Sequence, residues 1–116
     1  MELRVALASS DGITVDQHFG RATRFCIYRL TGAGWEHLED RYNTPACAGQ
    51  EHADGMLEQT AEVISDCRGL AVARIGASAI DVLLARRIFP LVLELPVPEA
   101  LATLEKSKLL SRYINQ

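Results

Sequence analysis

The sequence lacks the features that mark several common protein classes. Its three cysteines, Cys26, Cys47 and Cys67, form no Cys-x-x-Cys pair and lie far apart. That excludes a zinc ribbon or a thioredoxin-type motif and suits a reducing compartment better than a disulfide framework. No apolar run approaches the roughly 20 residues that span a bilayer, and the chain enters a strand-like segment at Leu3 without the apolar stretch of a signal peptide. No membrane association is expected, and the cytoplasm is the expected compartment. Basic charge is not in excess either. Lys plus Arg number 12 against 15 Asp plus Glu, a net charge of -3, so nothing marks nucleic acid as a partner. A P-loop, a Gly-x-Gly-x-x-Gly fingerprint and a Gly-x-Ser-x-Gly nucleophile elbow are also absent.

What is present fits one globular domain. With 116 residues, 48% of them hydrophobic, the chain can bury a continuous core, so residues 1–116 are expected to form a single unit with its core from about residue 3 to residue 104. There is no internal repeat or linker. Leu3 to Ala8 is a mostly apolar run of the kind that forms a strand buried on both faces, and Ser9-Ser10-Asp11-Gly12 ends it with turn residues. Phe25 to Leu30 is rich in strand formers, and Gly32-Ala33-Gly34 turns it back into Trp35 to Tyr42. Asn43 to His52 is expected to be a loop. Helical spacing of Met56, Leu57, Ala61 and Ile64 predicts a helix from Ala53 to Cys67. A strand from Gly69 to Ala73, a helix from about Ser78 to Arg87, a strand from Phe89 to Leu95, and a helix opened by Pro98 and running through Leu104 complete the order.

This alternation argues for an α/β fold with a mostly parallel core and an antiparallel hairpin at one edge. The simplest arrangement is a ribonuclease H-like three-layer fold, its five-stranded mixed sheet ordered 3-2-1-4-5 with helices on both faces. Right-handed crossovers then bring residues 9–24, residues 43–52 and the Arg74-Ile75-Gly76 turn to one edge, outside the carboxyl ends of the parallel strands, where open α/β sheets bind ligands. His18, Cys47, His52 and Cys26 fall at or near that edge; His37 and Cys67 fall elsewhere.

Several of these residues have a plain structural reading. Cys26 alternates with Tyr28 and Leu30 and reads as core, Cys67 ends a helix, and His37 reads as surface. His52 is either a residue near a helix start or a ligand. Cys47, beside Gly49 in a loop, is either ordinary loop or a soft thiolate suited to iron or copper. His18 differs from these. It occupies a polar loop between Asp16-Gln17 and Phe19-Gly20, and its imidazole suits iron and zinc alike. Arg21, Arg24 and Arg74 map to the same edge and favour an anionic ligand, or else Arg21 and Arg24 pair with Asp11 or Asp16. Ser9 and the Gly76 amide would add neutral donors.

Val5 to Gly12 followed by Val15-Asp16-Gln17-His18-Phe19-Gly20-Arg21-Ala22 resembles the family of nitrogenase cofactor proteins that includes NifX, NafY and the C-terminal domain of NifB. Cys47 to His52, Asp66-Cys67, Ala73 to Gly76 and Ile88-Phe89-Pro90 extend the match over nearly the whole chain. The resemblance implies the ribonuclease H-like fold. It also implies a protein that carries or stores the iron-molybdenum cofactor or its iron-sulfur precursor, working with nitrogenase cofactor assembly proteins. His18 stands where the family's proposed cluster ligand stands, with Cys47 the second candidate metal ligand. The chain has neither the extra N-terminal domain of NafY-like carriers nor the radical-SAM cysteine motif of full NifB, so the expectation is a stand-alone NifX-like protein or an excised domain. Oligomeric state is not legible.

Three functions compete. A non-catalytic carrier needs few ligands, which suits this sparse set, and its cargo is either the nitrogenase cluster or another molybdenum-copper or iron-sulfur cluster outside nitrogen fixation. An interaction or regulatory module of nitrogenase assembly is the second. Catalysis has least support: ribonuclease H-like nucleases need carboxylates on the first and fourth strands, and neither strand carries one here. A Cys47 and His52 dyad would lack an orienting group.

Overall fold

The computed structural model of the protein describes residues 3–43 and 54–107. The order is β1 (Leu3–Ala8), a single 3-10 turn (Phe19–Arg21), β2 (Arg24–Thr31), β3 (Gly34–Tyr42), α1 (Asp54–Val63), β4 (Gly69–Val72), α2 (Ala77–Ala85), β5 (Phe89–Val92) and α3 (Val97–Lys106). The five strands form one sheet ordered β3-β2-β1-β4-β5, the arrangement expected from the sequence. β1 pairs antiparallel with β2, from Leu3 opposite Leu30 to Ala8 opposite Phe25, and parallel with β4, with Ala6 opposite Leu70.

Because side chains alternate across a strand, β1 feeds two cores at once. Ala6 and Ala8 join Leu70, Val72, Ala61, Ile64, Ala79 and Leu83 on the side covered by α1 and α2. Leu3, Val5 and Leu7 join Cys26, Ala71, Ala100, Leu101 and Leu104 on the side covered by α3. Two helices on one face and one on the other make three layers. No helix among the described residues is long and apolar enough to cross a membrane.

Most boundaries differ from the sequence expectation by one or two residues, and two differ by more, each for a local reason. The first helix stops at Val63 instead of reaching Cys67. There the N–H groups of Ile64, Ser65 and Cys67 donate to the carbonyls of Ala61, Glu62 and Ile64, tightening the chain into i-3 turns. Arg41 takes over the freed Val63 carbonyl at 2.9 Å and forks onto Asp66 at 2.6 and 2.9 Å, while Arg4 reaches the same carboxylate at 2.8 Å. The fifth strand stops at Val92 instead of Leu95, because its neighbour β4 ends at Val72, whose carbonyl accepts a last bond from Leu93. The chain beyond it is used elsewhere: Val15 donates to Leu95 and Val97 donates to Ile13.

The forked Arg41 bonds, with Arg4, hold the Asp66 carboxyl well below the usual carboxylate range. A depressed folded-state pKa stabilises the fold at pH values above the unfolded value and ceases to do so as pH falls toward the folded one. Asp66→Asn should therefore lower stability at pH 7 by about 1–2 kcal/mol, allowing for its partial exposure. In urea melts, the gap to wild type should narrow steadily as pH drops below about 4.

Candidate functional site

The segment after β1 is stitched to the sheet as if it were a further strand. Asp16 and Gln17 both donate their N–H to the Ala8 carbonyl, at 3.2 and 3.3 Å. Ala73 donates to Gln17 and Phe19 donates to Arg74, each at 2.9 Å, so His18 and Arg74 face each other as a parallel bridge. Val15 and Phe19 are fully buried, one in each core, whereas Asp16 and His18 point to solvent. Phe19 lies against Phe25 with ring centroids 6.2 Å apart. His18 is thus an exposed imidazole on a backbone anchored on both sides of it.

Side chains complete the frame. The Gln17 amide oxygen accepts from the N–H groups of Thr23 and Arg24, and its nitrogen donates to the Thr23 hydroxyl at 2.9 Å. Asp16 accepts from the Ser10 N–H and hydroxyl. Asp11 accepts from the Ile13 and Thr14 N–H groups, and these bonds lower its pKa. Ser9 is wholly buried, donating to the Thr14 carbonyl at 2.6 Å and accepting from the Gly12 N–H, so it closes the loop and offers nothing to a ligand. Arg24 also belongs to the frame. Its partner is Asp40 on β3, at 2.6 Å, where pairing with Asp11 or Asp16 was the sequence alternative. Asp40 also meets His37 Nε2 at 2.8 Å, and His37 stacks on Tyr28 at 4.9 Å. The Asp40 role had no signal in the sequence, because a β-bulge sets this register: Ile27 faces Glu39 but Tyr28 faces His37.

A cleft of about 370 Å³ opens beside this segment, lined by His18, Gly20, Arg21, Arg74, Ile75 and Gly76. A smaller depression of about 240 Å³ shares His18 and Arg21 with it and adds Asp16 and Gln17. The structure therefore brings together His18, Arg21, Arg74 and Gly76 and places Ser9 and Arg24 behind them. Cys47 and His52 lie outside the described residues. Cys26 is buried under α3, its thiol pushed up to about 11 by burial and by the Asp40 charge, and Cys67 is pushed up to about 12 for the same kinds of reason. Among the described residues, no group of three or more His, Cys, Asp and Glu side chains is placed to hold a metal ion. His18 could give one bond to a metal that brings its other ligands with it.

Fold and cleft define an α/β domain with an open cleft at the carboxyl edge of its parallel strands, the usual ligand position in such sheets. The chain belongs to the dinitrogenase iron-molybdenum cofactor family, whose model matches residues 1–107. It is 34% identical over 77 residues to the FeMo cofactor biosynthesis protein NifB of Klebsiella pneumoniae, covering 62% of this chain and 16% of that protein. It is 34% identical over 91 residues to Protein NifY of the same organism, covering 78% of this chain and 38% of NifY. The chain thus spans only a minor part of these relatives. Among solved structures, PH0822 is similar with a TM-score of 0.67 at 18% identity, over 88% of this chain and 89% of that one. TM1290 of Thermotoga is similar with a TM-score of 0.63 at 20% identity, over 91% and 90%. These two likenesses concern the fold.

At Gly12 the loop lies close against the Arg24 side chain of the frame. The φ of Gly12 is +78°, and a Cβ there would come within 2.9 Å of the Arg24 guanidinium. Gly12→Ala should cost about 1–3 kcal/mol in a denaturant melt and loosen the Arg24 contact with Asp40. Retention of full stability would show that the loop reaches its conformation without help from glycine.

Proposed function

We propose that this domain carries a preformed metal-sulfur cluster, the iron-molybdenum cofactor or its iron-sulfur precursor, during nitrogenase cofactor assembly. The observation that carries the reading is His18 itself: a solvent-facing imidazole, held by main-chain bonds on either side, at the mouth of a cleft that two arginines line. A free ion needs three or four protein ligands, whereas a cluster already has its sulfides and needs only a terminal one. A single imidazole suits the second task. It also suits a carrier, since one bond gives a complex that a partner can dismantle.

Family membership and the names of the NifB relatives support the cargo, and cofactor assembly proteins would be the donors and acceptors. Catalysis has no support at the cleft. Its lining holds no thiol or hydroxyl, the Asp16 carboxylate in the adjoining depression is bonded to Ser10, and the two buried thiols are held protonated by their surroundings. Cys47 and His52 remain candidate further ligands from the sequence.

The test is an anaerobic titration of the protein with isolated iron-molybdenum cofactor, followed by visible absorption and electron paramagnetic resonance. A saturable spectral change is expected, weakened about tenfold or more in His18→Ala. An unchanged titration in that variant would remove His18 as the ligand. No spectral change with either protein would remove the carrier reading in favour of an interaction module.

A further inference from the structure

Most arginines in this protein are held by an acceptor. Arg4 and Arg41 share Asp66, Arg24 pairs with Asp40, Arg29 with Glu36, and Arg86 with Glu58 and Glu62. Arg68 donates to the carbonyls of Ser65, Arg86 and Arg87. Among the described residues Arg21, Arg74 and Arg87 have no such partner; Arg87 lies past the far end of α2, whereas Arg21 and Arg74 line one cleft whose own lining holds no carboxylate, the nearest, Asp16 in the adjoining depression, being bonded to Ser10. In a chain of net charge -3 with acidic residues to spare, two guanidinium groups without a bonded acceptor on one concave wall favour an anion there.

The glycines on the same wall point the same way. Neither Gly20 nor Gly76 has the left-handed backbone that favours glycine, and a Cβ built on either would meet no atom within 4 Å. The fold itself leaves room for a side chain at both. What their bareness does is keep the cleft open and let a ligand approach the main chain closely.

We propose that Arg21 and Arg74, with the bare main chain at Gly20 and Gly76, form a site for a tetrahedral dianion of the sulfate class that works without any iron. The charges match one for one. A guanidinium fork grips two oxygens along an edge of such an ion, and a tetrahedron has edges enough for two forks. This rests on reading the cleft as the cargo site and deepens it: the arginine wall would grip the anionic periphery of a cargo while His18 takes a metal.

The experiment is NMR titration of the whole chain with sodium sulfate against sodium chloride at matched ionic strength, with tungstate as a heavier analogue. Saturable amide shifts are expected at Gly20, Arg21, Arg74 and Gly76 with sulfate and tungstate only. Arg21→Gln and Arg74→Gln should each weaken binding about tenfold. Gly76→Ala should weaken it with the melting temperature unchanged, and Arg87→Gln, which removes the same charge at the other end of α2, should leave it unaltered. Shifts that are equal in chloride, equal losses in Arg87→Gln and Arg74→Gln, or tighter binding of malonate than of sulfate would overturn the assignment. Sulfate binding by a protein that fails the cluster titration would uphold this site and remove the carrier reading. Cluster binding without sulfate binding would do the reverse.

Discussion

The main-chain bonds that tie residues 13–19 to the ends of β1 and β4 and to residues 95–97 are the arrangement on which the cleft depends. A polar surface loop of this length would ordinarily solvate its own backbone and leave a histidine to sample many positions. Here Ala8, Arg74 and Leu95 supply carbonyls and Ala73 supplies an N–H, so the backbone around His18 is satisfied within the protein. Ordering the segment that carries His18 is then done during folding, and a partner docking there would not have to repeat it.

That clamp in turn needs the two cores. Val15 enters the core under α3 and Phe19 enters the one under α1 and α2, so the segment is anchored through both faces of the sheet that β1 divides. Polar groups secure what the apolar ones do not reach. Arg24, Gln17, Ser9 and Asp11 each use their side chains on neighbouring backbone or, for Arg24, on Asp40 across the hairpin. The Arg41, Arg4 and Asp66 cluster closes the end of α1 in the same way. Against this background of paired charge, Arg21 and Arg74 line the cleft without an acceptor among the described residues.

The fold was largely legible. A short apolar run such as Leu3 to Ala8 reads as a central strand, and the right-handed crossover rule then places Gly69 to Val72 beside it and Phe89 to Val92 beyond that. Where periodicity misled, the cause was a tertiary partner: Arg41 and Asp66 end α1 early, and the length of β4 cuts β5 short. At the site, the gathering of His18, Arg21, Arg74 and Gly76 followed from topology, because all lie after carboxyl ends of parallel strands. Sorting them from Ser9 and Arg24 did not.

The sequence by itself brought His18, Arg21, Arg74 and Gly76 to the carboxyl edge of the parallel strands, since strand order and direction are set by patterns that local hydrophobicity records. Only the tertiary structure decided which of those residues remain open. A guanidinium or hydroxyl is available to a ligand when nothing nearer satisfies it, and that depends on neighbours far away in the chain. Asp40, sixteen residues on, takes Arg24, and the Thr14 carbonyl takes Ser9. Nothing among the described residues takes Arg21 or Arg74, and His18 lines the same cleft on a backbone hydrogen-bonded on either side of it.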